Sequence, residues 1–121
     1  MKHENYLDKI LIHKRQEVDL LIKETENDPT HALNQVLKQN YAPSDHFSRA
    51  LKKSKLAVIG EVKRRSPSLG DIREINDPVG LALKYCQGGA SAISVLTDTK
   101  GFGGSLEDLK QVANALSTKY P

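Results

Sequence analysis

Apolar residues recur every three or four positions in the first quarter of the chain, with charged residues between them: Leu7, Ile10, Leu11, Val18, Leu21 and Ile22. This spacing predicts an amphipathic helix over residues 5–24. The triplet Asn27-Asp28-Pro29 predicts its end. Thr30 is the expected N-cap of a short second helix over residues 31–38. Residues 41–44 are predicted to form a loop, and a third short helix contains Phe47, Ala50 and Leu51.

The pattern changes after residue 55. Two short apolar runs, residues 56–63 and 90–97, are bounded by turn-forming residues, which is typical of buried parallel strands. Asp77-Pro78 predicts the start of a helix between the two runs, and Gly88-Gly89 predicts its end.

Loops are predicted after each strand, over residues 66–71 and over the glycine-rich residues 98–104. Ser105, with Asp108 as an acidic capping partner, predicts the start of a last helix. Its apolar face is expected to contain Leu106, Leu109, Val112, Ala113 and Leu116.

The resulting order, β-loop-α-β-loop-α, predicts an α/β fold with a parallel sheet and helices packed outside it. Two parallel strands cannot cover their own edges, and a βα barrel needs eight. We therefore expect a helical N-terminal extension over residues 1–55 and an incomplete barrel over residues 56–121. The chain is either incomplete or associates with something that completes the sheet.

Composition and charge limit the classes of ligand that the chain is expected to bind. The 121 residues carry 18 basic and 15 acidic side chains, a net charge of +3, and only 5% aromatic residues. Basic residues cluster at Lys52, Lys53 and Lys55 and again at Lys63, Arg64 and Arg65. No aromatic residues are interleaved with them as in single-strand binders, so a small anionic ligand or a solvated face is favoured over nucleic acid.

The sequence shows few features that would indicate a membrane span, secretion, a disulfide or a metal site. No apolar run is long enough for a membrane span, and no secretory signal pattern is present. The single cysteine, Cys86, is expected to be a buried small hydrophobe in a protein of the reducing cytoplasm. The four histidines, His3, His13, His31 and His46, lack metal-site spacing, so no metal is predicted.

Candidate chemistry follows the first strand. Glu61 and Lys63 are two positions apart, so they point to the same side of a strand, into the expected barrel. They are either a structural ion pair or functional groups. Ser66 and Ser68 form either an ordinary turn or a receptor for a phosphate or carboxylate. Phe102 either lies against an apolar ligand or anchors its loop.

These runs resemble one family. The sequence IGEVKRRSPSLGDIR resembles the signature of indole-3-glycerol phosphate synthase, Glu-x-Lys-x-x-Ser-Pro-Ser after the first strand. GGASAISVLTD and GFGGSLEDL resemble that family's second βα unit, and FSRALKK resembles the segment before its first strand. ILIHKRQEV resembles part of the family's extra helices, which cover the barrel bottom. The resemblance extends over essentially the whole chain.

The resemblance implies a (βα)8 TIM barrel and a cytoplasmic carboxy-lyase of tryptophan biosynthesis that uses no metal or organic cofactor. Its phosphorylated substrate would be 1-(2-carboxyphenylamino)-1-deoxyribulose 5-phosphate. Ring closure and loss of carbon dioxide and water would give indole-3-glycerol phosphate. This chemistry needs an acid for the ribulose carbonyl, a cation for the carboxylate and a base for dehydration.

The motif also implies roles for single residues. Lys63 matches the catalytic lysine that contacts substrate anions, and Glu61 matches the glutamate that supports catalysis. Ser66 matches a substrate-contacting serine, and Phe102 matches a phenylalanine of the pocket for the anthranilate ring. Ser68 belongs to the motif as a substrate-binding candidate, without an assigned role.

The family's general-acid lysine and general-base glutamate are expected on a third and a fourth strand, and most of its phosphate-binding amides in later loops. A barrel of this kind has roughly 250 residues. We therefore expect the isolated chain to be inactive and to need the missing C-terminal half-barrel. The alternatives are a different phosphate-binding barrel, such as phosphoribosylanthranilate isomerase, and a non-catalytic module that pairs with itself or a partner through its open strand edges.

Overall fold

The computed structural model of the chain describes residues 5–40, 42 and 44–120. The chain consists of two compact units, residues 1–43 and 44–121. The predictions for His3, Tyr41 and Pro43 lie outside the described residues. The predicted domain boundary after residue 55 stays a prediction. No helix in the described part is long and apolar enough to cross a membrane.

The N-terminal unit contains helices α1 (Tyr6–Asn27) and α2 (Ala32–Leu37). At the start of α1, the Asn5 side chain accepts from the Asp8 amide at 2.9 Å, and the Asp8 carboxylate accepts from the Asn5 amide. This reciprocal pair is a capping box. The helix ends where the Asn27-Asp28-Pro29 triplet predicts.

The predicted cap of α2 is wrong by one residue. His31 is the N-cap, and its Nδ1 accepts from the Leu33 amide at 3.3 Å. The Thr30 hydroxyl instead donates to Asp28 Oδ1 at 2.6 Å, and the Thr30 amide donates to the same oxygen. Because Asp28 holds Thr30 in a local turn, the next residue, His31, serves as the N-cap of α2.

The second unit begins with α3 (His46–Lys52) and contains the predicted parallel strands, β1 (Ile59–Val62) and β4 (Ala92–Val95). The two strands pair in parallel, in a register from Ile59 opposite Ala92 to Val62 opposite Val95. Helix α4 (Pro78–Gln87) connects them. The α/β architecture expected from the sequence is therefore confirmed, with strands shorter than the apolar runs.

Local signals define the helix ends of this unit. The Asp77 carboxylate accepts from the Gly80 amide at 2.8 Å at the start of α4. Gly89, with φ of 93°, follows its end. The Ser105 hydroxyl accepts from the Asp108 amide at 3.0 Å and begins α6 (Leu106–Lys119). These caps confirm the predicted starts of both helices.

Both predicted loops contain short regular elements, which corrects those predictions. Strands β2 (Arg65–Ser66) and β3 (Gly70–Asp71) pair antiparallel within the first loop. Gly70 has a φ of 69°, which permits the tight turn between them. The second loop contains the one-turn helix α5 (Thr99–Phe102), which is capped by Asp98 and ends at Gly103 with φ of 65°.

The core lies between the strand pair and the helices α4 and α6. Among the described residues, the buried hydrophobic cluster consists of Val62, Ile75, Ala82 and Val112. Around them pack the half-buried Val79, Leu81, Tyr85, Ile93, Val95 and Leu116. Cys86 is only half-buried, contrary to the prediction, since it lies on α4 beside an open cavity rather than in this core.

Alternation along β1 decides which residues join the core. Val62 is 2% exposed, and a Cβ built on Gly60 would lie 2.7 Å from the Tyr85 ring of α4. These two positions therefore face the helices. Glu61 lies between them and points to the opposite side of the sheet, where its side chain is 42% exposed.

Candidate active site

The parallel pairing of β1 and β4 brings the segments that follow them to the same end of the sheet. Residues 63–68 leave the carboxyl end of β1, and residues 96–102 leave the carboxyl end of β4. In βα barrels this is the end at which ligands bind. The candidate residues from both loops therefore belong to one edge of the fold.

Glu61 and Lys63 form an ion pair at this edge. Lys63 Nζ lies 2.7 Å from Glu61 Oε1, as expected for residues on the same face of a strand. The two side chains are 34% (Lys63) and 42% (Glu61) exposed, so the pair is open to solvent rather than a buried plug. An exposed pair contributes about 0–1 kcal/mol of stability, so a ligand oxygen can replace Glu61 as the partner of Lys63.

Ser66 is the last residue of β2, and Ser68 lies in the turn between β2 and β3. Ser66 Oγ accepts from the Leu69 amide at 3.2 Å and lies 3.3 Å from Ser68 Oγ. The turn interpretation of the sequence therefore describes the local structure. A hydroxyl has two acceptor sites and a rotatable donor, so each serine retains hydrogen-bonding capacity for a ligand.

Phe102 is the last residue of α5 and is half-buried. The Asp98 carboxylate caps this helix by accepting from the Gly101 amide at 2.5 Å. The Thr99 hydroxyl donates to the Gly104 carbonyl at 3.0 Å. A Cβ built on Gly104 would lie 1.7 Å from the Leu96 carbonyl oxygen, so only glycine permits this return of the chain to the strand end.

Arg64 is a structural residue that sequence reasoning missed. Its Nη1 and Nη2 donate to the two carboxylate oxygens of Asp108 at 2.6 and 3.3 Å. Its Nε donates to the Ile75 carbonyl at 3.1 Å, and Nη1 also lies 3.3 Å from the Gly103 carbonyl oxygen. The hydrogen bond from Arg64, aided by its charge, lowers the pKa of Asp108 below its ordinary value. The sequence offered only an arginine in a basic cluster.

The cluster Lys63, Arg64 and Arg65 is not a free basic patch. Lys63 pairs with Glu61, Arg64 pairs with Asp108, and Arg65 Nη2 donates to the Lys100 carbonyl at 2.6 Å. All three cations are thus engaged inside the chain. This arrangement favours a role in holding loops and a small ligand over a role in nucleic-acid binding.

Comparison with known proteins finds a matching family and relatives over most of the chain. The family model for indole-3-glycerol phosphate synthase matches residues 7–121. Indole-3-glycerol phosphate synthase of Oceanobacillus iheyensis is 44% identical over 117 residues, which cover 93% of this chain and 40% of that protein. The synthase of Microcystis aeruginosa is 47% identical over 116 residues, covering 94% of this chain and 38% of that protein.

A third relative is more similar over a shorter part. The indole-3-glycerol phosphate synthase of a Nocardioides species is 57% identical over 76 residues, covering 63% of this chain and 28% of that protein. The chain thus spans at most 40% of the length of these three curated relatives.

Proposed function

The chain belongs to the indole-3-glycerol phosphate synthase family, and on this premise we propose that it supplies the first two βα units of a TIM-barrel active site that closes an indole ring. The substrate would be 1-(2-carboxyphenylamino)-1-deoxyribulose 5-phosphate and the product indole-3-glycerol phosphate. The observation that carries the proposal is the solvent-accessible Glu61–Lys63 ion pair at the carboxyl end of β1.

Lys63 is the proposed catalytic cation. Its ammonium group exchanges Glu61 Oε1 for the carboxylate of the substrate and holds that carboxylate beside the ribulose carbonyl. Ring closure forms a bond from the aromatic carbon that bears the carboxylate to the carbonyl carbon. The carbonyl oxygen takes a proton, carbon dioxide leaves, and loss of water completes the indole. Glu61 orients the ammonium group before substrate binds.

The two loops supply the proposed substrate contacts. Ser66 donates its hydroxyl hydrogen to an anionic oxygen of the substrate. Ser68 stabilises the same turn, since its Oγ lies 3.3 Å from Ser66 Oγ. Phe102 packs against the anthranilate ring, since aromatic side chains favour offset or edge contact with a flat apolar ligand.

We propose that residues 1–121 are inactive without the other βα units. The acid that protonates the carbonyl and the base that leads dehydration are expected on third and fourth strands, which residues 1–121 do not include. The remaining βα units of the family's barrel would pair with the free edges of β1 and β4. Closure of the barrel would enclose the face that carries Glu61.

A fluorescence assay for indole-3-glycerol phosphate tests the proposal. The chain is assayed alone and mixed with the remaining βα units of the Oceanobacillus iheyensis relative. We expect activity only in the mixture, and a loss of about 1,000-fold for Lys63→Ala. The control is Lys110→Ala, which removes an exposed lysine of α6 and should change activity by less than about twofold.

Size-exclusion chromatography of the same mixtures makes the outcome decisive. If the halves co-elute and the wild-type mixture forms no product, the proposed activity is wrong. If the chain alone forms product, the proposed inactivity of the isolated chain is wrong.

A further inference from the structure

The first loop lies against α5, with β2 next to the helix. A Cβ built on Gly101 would lie 3.7 Å from Pro67 Cγ. A Cβ built on Gly103 would lie 3.5 Å from Arg65 Cγ and 3.6 Å from Arg65 Nε. The two loops therefore meet at two points, with glycine on one side of each contact. We call this pair of contacts the loop–helix contact.

The residues at these points flank the two proposed substrate-binding side chains. Ser66 lies between Arg65 and Pro67, and Phe102 lies between the two glycines of the loop–helix contact. The neighbours of Ser66 thus pack on the neighbours of Phe102. A movement of one loop relative to the other would change the separation of the serine hydroxyl and the phenyl ring.

Two charged hydrogen bonds span this contact: a short one from Arg65 to α5 and a longer one, 3.3 Å, from Arg64 Nη1 to the Gly103 carbonyl. Arg65 Nη2 donates to the Lys100 carbonyl at 2.6 Å. The last carbonyls of a helix have no partner within the helix, and α5 has only four residues. The amides of Gly103 and Gly104 donate to Thr99 and Asp98. Arg65 therefore supplies a donor to a carbonyl that these amides leave open, and a charged donor makes the bond stronger than a neutral one.

We propose that Arg65 is a positioning residue that fixes the distance between Ser66 and Phe102 and so sets the affinity for substrate. This inference rests on the proposed function of those two residues. Arg65 acts through the Lys100 carbonyl and does not touch the substrate. Arg65 adjoins Ser66 in β2, and Lys100 lies in the same helical turn as Phe102, so little chain separates the bond from either side chain.

Three variants separate positioning from general damage. Arg65→Ala removes the bond, and Arg65→Lys keeps a cation that can reach the carbonyl without the planar fork. Arg73→Ala is the matched control. It removes an exposed arginine that also lies between β1 and α4 and makes no hydrogen bond to α5 in the described part of the chain.

Hydrogen exchange in the 121-residue chain itself gives the first measurement. The reporters are the Leu69 amide, which donates to Ser66 Oγ, and the Gly103 amide, which donates to the Thr99 carbonyl. Arg65→Ala should speed exchange of both amides about tenfold, and Arg73→Ala less than about twofold. If Arg65→Ala changes both amides by less than about twofold, Arg65 does not hold the loops together and the proposal fails.

Kinetics in the mixture with the remaining βα units give the second measurement. Arg65→Ala should raise KM about tenfold while kcat changes less than about threefold, and Arg65→Lys should restore most of the affinity. An unchanged KM in an active mixture would overturn the positioning role alone. An inactive wild-type mixture with associated halves would overturn the proposed function, and with it the role of Arg65 in substrate affinity, while exchange would still report whether Arg65 joins the loops.

Discussion

The guanidinium group of Arg64 binds both carboxylate oxygens of Asp108, a residue 44 positions later in the chain. The arginine follows β1 by two residues, and the aspartate lies in the first turn of α6. The side chains are 26% and 15% exposed, so water screens the pair only in part. This pair ties the start of the first loop to the last helix of the unit.

Replacing Arg64 should destabilise the second unit. Arg64→Ala leaves the Asp108 carboxylate without its cation and frees the Ile75 carbonyl. We expect the free energy of unfolding to fall by about 2 kcal/mol, the scale of a hydrogen bond to a charged group. Urea denaturation measures this, with Arg73→Ala as the control, which should cost less than about 0.5 kcal/mol. Equal losses in the two variants would show that the pair adds no specific stability.

The same pair predicts a dependence of stability on pH. The hydrogen bond from Arg64 lowers the pKa of Asp108 in the folded chain. The unfolded chain therefore binds this proton first, at about pH 4. The stabilisation is present above that pH and is lost as the pH falls through the lower folded pKa.

Urea titrations at several pH values test this sign. The free energy of unfolding should fall between about pH 5 and pH 3 in the wild type, and the fall should be smaller in Asp108→Asn. Other carboxylates contribute equally to both proteins, so the difference between the curves reports Asp108. Parallel curves would contradict the assignment.

Gly104 should tolerate no side chain. Its Cβ would lie 1.7 Å from the Leu96 carbonyl oxygen, so Gly104→Ala forces the backbone apart where α5 returns to β4. We expect a loss of about 3 kcal/mol in the free energy of unfolding. At Gly88 the same substitution meets only contacts of 3.4 Å, and we expect a change below about 0.5 kcal/mol. Thermal or urea unfolding compares the two, and similar losses would argue against the close approach.

Glu61→Gln should separate activity from stability. The amide keeps the size of the side chain but removes the charge that orients the Lys63 ammonium group. We expect the mixture with the remaining βα units to lose about 100-fold in kcat, with a change in unfolding free energy below about 0.5 kcal/mol. Glu107→Gln, at an exposed position of α6, is the control. Unchanged activity in Glu61→Gln would remove Glu61 from the proposed mechanism.

Local rules explain which elements the sequence predicted. The start of α4 at Asp77 and that of α6 at Ser105 depend on side chains within three residues of the helix end, so they are visible in sequence. The strands are shorter than their apolar runs. Leu56 and Val58 lie before β1 and are 81% and 51% exposed, and the register with β4 begins only at Ile59.

Long-range contacts explain what the sequence could not show. Alternation predicted that Glu61 and Lys63 share a face, and their ion pair confirms it. The partner of Arg64 is 44 residues away and that of Arg65 is 35 residues away, and no local pattern specifies either bond. The substrate roles of Ser66, Ser68 and Phe102 stay predictions.

The alternation along β1 has a consequence for how this strand tolerates change. Positions 60 and 62 contact the helices, whereas positions 61 and 63 carry the charged pair. Substitutions at the odd positions can therefore alter chemistry while the packing survives, and substitutions at the even positions act on packing first. A shift of the strand by one residue would exchange the two sets. The register with β4 therefore also fixes which residues face the helices and which carry the charged pair. Reactive side chains can thus change at every second position of β1 while its packing against the helices is kept.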